Sequence, residues 1–406
     1  MNRRQALSLL AALPLVARVS AQTRSTAKHR VALGRWGLLI EPGGTLQSWS
    51  ANGSTGDSVP AEEVLGLGHN RPVDLFTLYP IPNVTGVVNA VVGSAAAYAV
   101  LANGQVLSWG AGGYGVLGTT PLDELETRAQ PRMRSSTPLP VAVKFDAVDV
   151  SSKGEHVLAL ARDGSVYAWG RGDAGQLGIG PMPVVNYKTR SARVENFMPL
   201  PVRIPGLTDV VAISTGGMHS LALLQDGTVR AWGENRFGQV GDGTRINRDT
   251  PTPVRGVRNV VAIAALGNSS VTVLSDGTAM AWGNTHGSSD PRPVPAAVVG
   301  ARGLRSVVGG DAHVVALTQT GGVMTWGTSG HYETGRGRNA SAPGLVKELT
   351  DVVSITASSW GSAAVLTSGR IMTWSEVRPW HRPGFNGTSN LSPLPILLWL
   401  DGLEQP

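Results

Sequence analysis

Short apolar segments alternate with turn-forming residues along the chain, and residues 210–254 show the pattern most clearly. The first segment of this stretch is apolar and β-branched, which suits a strand buried on both faces. Gly216-Gly217 permits a tight reversal, and Asp226-Gly227 is typical of a two-residue hairpin turn. The last segment is rich in proline and suits an edge strand, where a missing N–H costs little. The pattern predicts four antiparallel strands, over residues 210–214, 219–224, 229–232 and 251–254.

Seven copies of this unit follow one another, each with a glycine five residues before a tryptophan. The tryptophans are spaced by 60, 60, 63, 50, 44 and 48 residues, so the first three copies carry insertions. These insertions cover residues 50–85, 111–138 and 171–200. A large aromatic side chain at the same place in every copy is expected to anchor the packing. The predicted structural anchors are Trp49, Trp109, Trp169, Trp232, Trp282, Trp326 and Trp374.

Four antiparallel strands repeated seven times predict an all-β chain, a seven-bladed β-propeller of four-stranded antiparallel blades. A linear solenoid is the alternative, but a solenoid would need polar capping repeats at both ends. The C-terminal segment 393–400 is strongly apolar instead, so we expect it to complete the seventh blade and seal the ring. The predicted propeller covers residues 29–403, with blades at about 29–86, 87–147, 148–209, 210–259, 260–303, 304–351 and 352–403.

The N-terminus has the three regions of an export signal. Arg3 and Arg4 are followed by an apolar stretch over residues 6–17 and by small residues at 19–21. The apolar stretch is too short to span a bilayer, which takes about 20 residues. We therefore predict a signal peptide over residues 1–21, a short linker over 22–28 and a periplasmic or extracellular location. The paired arginines leave the twin-arginine and the general secretory routes both open.

The charge balance argues against a polyanionic partner. The chain has 34 Lys and Arg against 28 Asp and Glu, and removal of the three arginines in the predicted signal leaves 31 against 28. No basic tract is present, so no nucleic-acid partner is expected. Cysteine is absent, which excludes disulfides and thiol chemistry. We expect a monomer without a membrane span, a cofactor or a metal.

The repeat itself resembles a known family. The pattern Gly-x-x-His, Asp-Gly, Trp-Gly and then Gly-Gln-Leu-Gly is nearly complete from His156 to Gly178, and it recurs from His219 to Gly241. This pattern is similar to the regulator of chromosome condensation repeat, and the similarity extends over nearly all of residues 29–401. The resemblance implies a propeller. It leaves the function open, because the family includes a nuclear exchange factor for a small GTPase, secreted bacterial members and a secreted seven-bladed inhibitor of β-lactamases.

The histidines of the repeat are the first candidates for chemistry. His156, His219 and His313 occupy equivalent positions in different blades, so the ring keeps them apart. They cannot share one metal or one proton relay, and we expect each to make a structural hydrogen bond inside its blade. The other histidines show no metal-ligand spacing, and no nucleophile elbow or phosphate-binding loop is present. The sequence therefore predicts a protein that is not an enzyme.

One face of the propeller is the predicted binding surface. The turns after the first strands and the loops after the tryptophans emerge on the same face, together with the insertions, and long loops on a rigid scaffold commonly carry recognition. Aromatic residues and arginine dominate binding hot spots. The candidates are Trp36, Tyr79, Tyr114, Tyr187, Arg236, Phe237, Tyr332 and Trp360, each with packing of its own blade or loop as the alternative.

These observations predict an exported, non-catalytic protein-interaction module with a protein partner. Its narrower form, taken from the resemblance, is an inhibitor of a cell-wall enzyme such as a β-lactamase. A guanine-nucleotide exchange factor for a small GTPase is one alternative. A propeller enzyme with its site at the central channel, or a glycan-binding protein, is another.

Overall fold

The computed structural model describes residues 30–34, 36–50, 65–68, 77–119, 133–182, 196–285, 290–328, 332–337, 341–359, 361–375 and 392–397. The predicted signal peptide and linker, residues 1–28, lie outside the described residues. Within the described part, the strands form seven four-stranded antiparallel sheets, each built from consecutive strands. The chain is a seven-bladed β-propeller, as predicted.

The blades follow one another along the chain without exchanging strands. Blade 1 is β1 Arg30–Leu33, β2 Trp36–Ile40, β3 Leu46–Ser50 and β4 Tyr79–Pro80; blade 2 is β5 Val87–Val92, β6 Ala96–Leu101, β7 Val106–Gly112 and β8 Met133–Pro140. Blade 3 is β9 Ala147–Ser152, β10 His156–Ala161, β11 Val166–Arg171 and β12 Phe197–Arg203; blade 4 is β13 Val210–Thr215, β14 His219–Leu224, β15 Val229–Gly233 and β16 Arg248–Pro253. Blade 5 is β17 Val260–Ala265, β18 Ser269–Leu274, β19 Ala279–Gly283 and β20 Arg292–Ala297; blade 6 is β21 Leu304–Gly309, β22 His313–Thr318, β23 Val323–Gly327 and β24 Gly344–Leu345. Blade 7 is β25 Val352–Ala357, β26 Gly361–Leu366, β27 Ile371–Ser375 and β28 Ser392–Leu397, and a short 3-10 helix covers Gly113–Gly115 in blade 2.

The hairpin between the second and third strands follows from the Asp-Gly pair. In blade 4 the carboxylate of Asp226 accepts hydrogen bonds from the backbone N–H and the hydroxyl of Thr228. Gly227 has a φ of 77°, in the left-handed region that glycine adopts without strain. The fourth strand of this blade begins three residues before the predicted start, because Arg248 pairs with Gly233 beyond an irregularity in the register.

Seven apolar clusters hold the ring together, one at each junction between adjacent blades. Each cluster contains one repeat tryptophan, and all seven indoles are at most 1% exposed. Bulky aromatic side chains bury the largest apolar area per residue, so one tryptophan supplies a large share of the packing at each junction. The clusters centre on Trp109, Trp169, Trp232, Trp282, Trp326, Trp374 and Trp49.

Apolar packing joins the first blade to the last. Leu39 and Trp49 of blade 1 pack against Ala363, Val365 and Ile371 of blade 7. The C-terminal strand β28 pairs with β27 and so completes blade 7, as predicted. It is the outermost strand of blade 7, and its sealing of the ring stays a prediction.

The first strands of neighbouring blades lie side by side around the centre and line a channel. Among the described residues, no helix has the length and apolar character needed to cross a membrane.

Candidate functional site

The turns after the first strands and the loops after the repeat tryptophans share one face, as the strand order requires. A side chain at Gly170, next to Trp169, would come within 2.6 Å of the Glu155 carbonyl oxygen in the turn of the same blade. In blade 4, a side chain at Gly233 would likewise come within 2.6 Å of the Met218 carbonyl oxygen. We call this surface the loop-bearing face. Its described turns are residues 93–95, 153–155, 216–218, 266–268 and 310–312, and its described loops follow Trp109, Trp169, Trp232, Trp282 and Trp326.

Hydrogen bonds join the turns of successive blades around the mouth of the channel. The backbone N–H of Gly217 donates to the Gly267 carbonyl at 3.1 Å, and the N–H of Gly267 donates to the Asp311 carbonyl at 2.9 Å. The Ser94 hydroxyl donates to the Gly154 carbonyl at 3.1 Å. These bonds connect the turns of blades 4, 5 and 6 to one another and, separately, those of blades 2 and 3.

Lys153 crosses the mouth of the channel. It lies in the turn of blade 3, and its Nζ donates to the Gly309 and Gly310 carbonyls of blade 6, at 2.6 Å each. The carboxylate of Asp311 is 4.0 Å from the same nitrogen. Burial lowers the pKa of Lys153 to about 8, and the nearby Asp311 opposes this shift. One side chain therefore joins two blades on opposite sides of the ring.

A second titratable group with a shifted pKa, Asp149, lies on the first strand of the same blade. Asp149 on β9 accepts hydrogen bonds from Asn89 Nδ2, at 2.5 Å, and from its neighbour's N–H, at 2.8 Å. Burial raises the pKa of Asp149 to about 7, although both hydrogen bonds favour the ionised form. The bond to Asn89 links the first strands of blades 2 and 3.

The repeat histidines form hydrogen bonds to the next blade, whereas the sequence analysis expected bonds inside each blade. His219 Nε2 lies 2.9 Å from Ser270 Oγ in the next blade. The Ser270 hydroxyl donates to the Gln239 carbonyl, which also accepts the N–H of Trp282 at 2.8 Å. Because the only hydroxyl proton of Ser270 is used there, His219 must donate through Nε2, which leaves its Nδ1 without a proton. Equivalent bonds link His156 with Ser220 and His313 with Ser362, at 2.9 Å each.

The chain carries a sequence signal for these bonds that the motif analysis missed. A serine follows the histidine position in blades 4, 5 and 7, and the preceding blades 3, 4 and 6 are those that carry the histidine. Where a blade has another residue at the histidine position, the next blade has no serine to match. Pairing between neighbouring repeats is therefore visible in the sequence once copies are compared in series.

The predicted binding aromatics differ in how far the structure exposes them. Trp36 is 2% exposed within the cluster between blades 1 and 2, which removes it from the candidates for contact with a partner. Tyr79 is half-buried against the same cluster. Tyr187 and Trp360 lie outside the described residues.

Two of the remaining aromatics carry an arginine over the ring. The guanidinium carbon of Arg171 is 5.0 Å from the centre of the Tyr114 ring, and Arg171 also pairs with Glu155 and Asp173. The guanidinium carbon of Arg236 is 4.5 Å from the centre of the Phe237 ring. Such cation–π pairs hold partly exposed rings in fixed orientations.

Tyr114, Phe237 and Tyr332 belong to blades 2, 4 and 6, so the ring spreads them rather than bringing them together. Tyr332 has a φ of 65° at the position that glycine holds in the Gly-Gln-Leu-Gly loop. The fold does bring together Lys153, the Gly309 and Gly310 carbonyls and Asp311. Lys153 stands where most copies have a glycine, a small residue or an apolar residue, and that break in the repeat was its only sequence signal.

Among the described residues, no three His, Cys, Asp or Glu side chains lie close enough together to hold a metal ion. A cavity of about 510 Å³ on the loop-bearing face lies between the channel mouth and the junction of blades 5 and 6.

Comparisons with known proteins agree with this geometry. Residues 103–160, 163–223 and 226–274 match the Regulator of chromosome condensation (RCC1) repeat. The chain is 25% identical over 338 residues to the mitochondrial RCC1 domain-containing protein RUG3 of Arabidopsis thaliana. That alignment covers 82% of this chain and 63% of the length of RUG3.

Solved structures show the same fold. Yeast RCC1 (Prp20), in its structure bound to Kap60, superposes with a TM-score of 0.69 at 18% identity, covering 93% of this chain and 86% of that one. Human WBSCR16 superposes with a TM-score of 0.68 at 20% identity, covering 85% of this chain and 94% of that one. Residues 103–274 thus carry RCC1 repeats, and the chain has the seven-bladed β-propeller fold of the RCC1 proteins that it resembles.

Proposed function

We propose that this propeller is a non-catalytic module that binds a protein partner through its loop-bearing face. The observation that carries the proposal is the bracing of that face. Lys153 ties blade 3 to blade 6 across the channel, and the turns of blades 4, 5 and 6 are hydrogen-bonded in series. A pre-organised surface loses little conformational entropy on binding, which favours recognition of a folded partner.

The chemistry of the face supports recognition of a protein. Tyr114 and Phe237 present partly exposed rings, each held by an arginine. Aromatic residues and arginine supply most of the energy at protein interfaces. The structures of yeast RCC1 (Prp20) concern the binding of Kap60, and of Gsp1p and histones, so this fold serves protein recognition elsewhere.

The test uses full-length protein recovered from its own host after chemical cross-linking, with partners identified by mass spectrometry. Arg236→Ala combined with Phe237→Ala should reduce recovery of a specific partner at least tenfold. Arg258→Ala is the matched control, because Arg258 is exposed in the blade connection on the opposite face. Equal recovery of every cross-linked protein with both variants would overturn the use of this face.

Location and partner class belong to the same proposal. The N-terminal pattern supports an exported protein, so the partner would be periplasmic or extracellular. Inhibition of a cell-wall enzyme such as a β-lactamase is the narrow form of the proposal, tested by mixing purified protein with a panel of β-lactamases. No inhibition at large molar excess would remove that form. Recovery of a small GTPase as the cross-linked partner would favour the exchange-factor alternative instead.

A further inference from the structure

An aromatic pair lies at the end of blade 3 that points away from the loop-bearing face, beside the Asp-Gly turn. The rings of Phe145 and Tyr167 are stacked, with centres 4.3 Å apart and planes 9° from parallel. Phe145 lies in the connection between blades 2 and 3, and Tyr167 is the second residue of β11. Phe145 packs against the apolar cluster of that junction, and both residues are half-buried. The pair therefore forms an apolar surface that is fixed to the core and still reaches solvent.

The repeat requires neither aromatic residue. The position of Tyr167, two residues before the repeat tryptophan, has no aromatic residue in the six other copies, which have Gln47, Leu107, Arg230, Met280, Met324 and Met372. The position of Phe145, two residues before the first strand, has threonine or arginine in the five other connections, at Thr85, Thr208, Arg258, Arg302 and Thr350. Because the other blades fold without such a pair, the fold alone gives no reason for it.

A third departure from the repeat lies beside the pair. Arg203, the last residue of β12, is the cross-strand partner of Tyr167. Directly opposite residues of neighbouring strands place their side chains next to each other on one face of the sheet. The equivalent positions of the other blades are apolar, with Pro80, Pro140, Pro253, Ala297, Leu345 and Leu397. Arg203 is exposed, so three separate segments of the chain depart from the repeat at one place on the surface.

Charged side chains of both signs accompany the rings at this end of blade 3. Arg162 donates to Asp146 through Nε at 2.8 Å and through a second nitrogen at 3.3 Å, and both side chains are more than half exposed. Arg203 lies close enough to Asp163 for the two charges to interact. Lys144, in the connection between blades 2 and 3, is exposed as well. Three cations and two anions leave a single positive charge, so the place offers donors and acceptors without the charge excess that selects a polyanion.

Backbone hydrogen bonds hold this arrangement in place. The N–H of Arg162 donates to the Asp146 carbonyl at 2.8 Å, which joins the connection to the Asp-Gly turn of blade 3. The N–H of Ala147 donates to the carbonyls of Phe145 and Gly104, at 2.9 Å each, and Gly104 lies in the turn of blade 2. A surface that is already ordered loses little conformational entropy when it binds a ligand.

We propose that this end of blade 3 is a binding site for a neutral oligosaccharide. A sugar ring has a face of C–H groups, which packs against the electron-rich face of an aromatic ring, here that of Tyr167. Its hydroxyls both donate and accept hydrogen bonds. The carboxylates of Asp146 and Asp163 would accept from these hydroxyls, and the guanidinium groups of Arg162 and Arg203 would donate to them. The site lies on the face opposite the proposed protein-binding surface, so the two ligands can be bound at the same time.

The first test uses full-length protein with ¹³C-labelled tyrosine rings and three neutral probes, cellotetraose, maltotetraose and tri-N-acetylchitotriose. The Tyr167 signal is assigned with Tyr167→Met, which introduces the residue type that three other blades have at this position. At least one probe should shift the Tyr167 signal with a Kd on the order of 1 mM and leave the Tyr332 signal of blade 6 unchanged. The absence of a shift at about ten times that concentration would overturn the proposal. A shift caused by oligothymidylate and by none of the sugars would overturn it as well, because it would indicate an anion site.

The second test uses substitutions that the repeat itself tolerates. Phe145→Thr, Tyr167→Met and Arg203→Ala introduce the residue types found at the equivalent positions 208, 280 and 297, so the blade should still fold. Titration followed on the signals of the probe should show about tenfold weaker binding for Tyr167→Met and about threefold weaker binding for the other two. Met280→Leu, at the Tyr167 position of blade 5, is the matched control and should bind as wild type does.

Arg203→Ala changes an exposed side chain and keeps the test decisive if an aromatic variant loses its fold. Wild-type affinity in a folded Tyr167→Met or in Arg203→Ala would overturn the proposal. The loss of Arg236 and Phe237 should leave sugar binding unchanged, and Tyr167→Met should leave the cross-linking of the protein partner unchanged. The sugar site and the proposed function can therefore fail independently of each other.

Discussion

His219 Nε2 lies 2.9 Å from Ser270 Oγ, and this bond joins two blades through side chains that are both fully buried. The Ser270 hydroxyl donates a hydrogen bond to the Gln239 carbonyl in the blade that carries His219. The two residues thus close a loop of hydrogen bonds across one junction. A buried network of this kind stabilises a structure only when every member keeps its partner.

Ser270→Ala should therefore destabilise the propeller more than loss of a hydroxyl usually does. It leaves the N–H of His219 buried without an acceptor, a cost of about 1–3 kcal/mol in the free energy of unfolding. A double-mutant cycle with His219→Ala, followed by chemical denaturation, should give a coupling of about 1 kcal/mol. Ser275→Ala, at an exposed position after the same strand, should change stability by less than about 0.5 kcal/mol. A coupling near zero would show that the bond contributes nothing.

The glycine of the Gly-x-x-His motif makes room for the histidine ring. A side chain at Gly310 would lie 2.0 Å from His313 Cε1. Gly310→Ala should cost about 1–3 kcal/mol in the free energy of unfolding, because the ring must move out of its site. Most of that cost should disappear in a His313→Ala background, since the clash is then removed.

Gly43→Ala is the matched control for that substitution, because the space around Gly43 is open within 4 Å. It should be neutral or stabilise by up to about 1 kcal/mol. If Gly310→Ala costs as much with His313 absent as with it present, the steric explanation of the motif is wrong.

The fold was predictable because each blade repeats the same local signals. The Asp-Gly turns, the β-branched runs and the seven tryptophans recur in register. A strand that is hard to predict in one copy can therefore be located by comparison with the other copies. The way the ring closes was not predictable, since it depends on the contact of Leu39 and Trp49 with blade 7, far away along the chain. Nor was the bridge made by Lys153, because only the closed ring brings the turn of blade 3 to that of blade 6.

Acid should weaken the propeller through the three repeat histidines. Burial lowers the pKa of His156 to about 4 and those of His219 and His313 to about 3. The unfolded chain binds these protons near pH 6.5, so the free energy of unfolding should fall as the pH drops from 6.5 to about 4. Each histidine contributes at most about 1.4 kcal/mol per pH unit. Denaturant titrations across this range should show the slope, and His219→Gln should reduce it.

Asp149 has the opposite effect on the free energy of unfolding, which it should raise as the pH drops from about 7 to 4. Its pKa is raised to about 7 by burial, so between about pH 4 and 7 the folded protein holds a proton that the unfolded chain has released. Asp149→Asn should therefore gain stability relative to wild type as the pH rises, by at most about 1.4 kcal/mol per pH unit. At pH 3 the carboxyl is protonated in the folded and largely in the unfolded state, and the difference between the two proteins should no longer change with pH. A difference that is constant from pH 3 to 7 would mean that Asp149 ionises normally in the folded protein.

Lys153 makes the bridge across the channel sensitive to alkaline pH. The folded protein releases the Lys153 proton near pH 8, whereas the unfolded chain keeps it to about 10.5. Between these values the unfolded state binds the extra proton, so the free energy of unfolding of wild type should rise with pH relative to Lys153→Met, by at most about 1.4 kcal/mol per pH unit. Lys144→Met, at an exposed position, should follow wild type over the same range. Parallel curves for wild type and Lys153→Met would show that the ammonium group is not desolvated in the folded state. The bridge would then be a solvated contact and not a brace of the loop-bearing face.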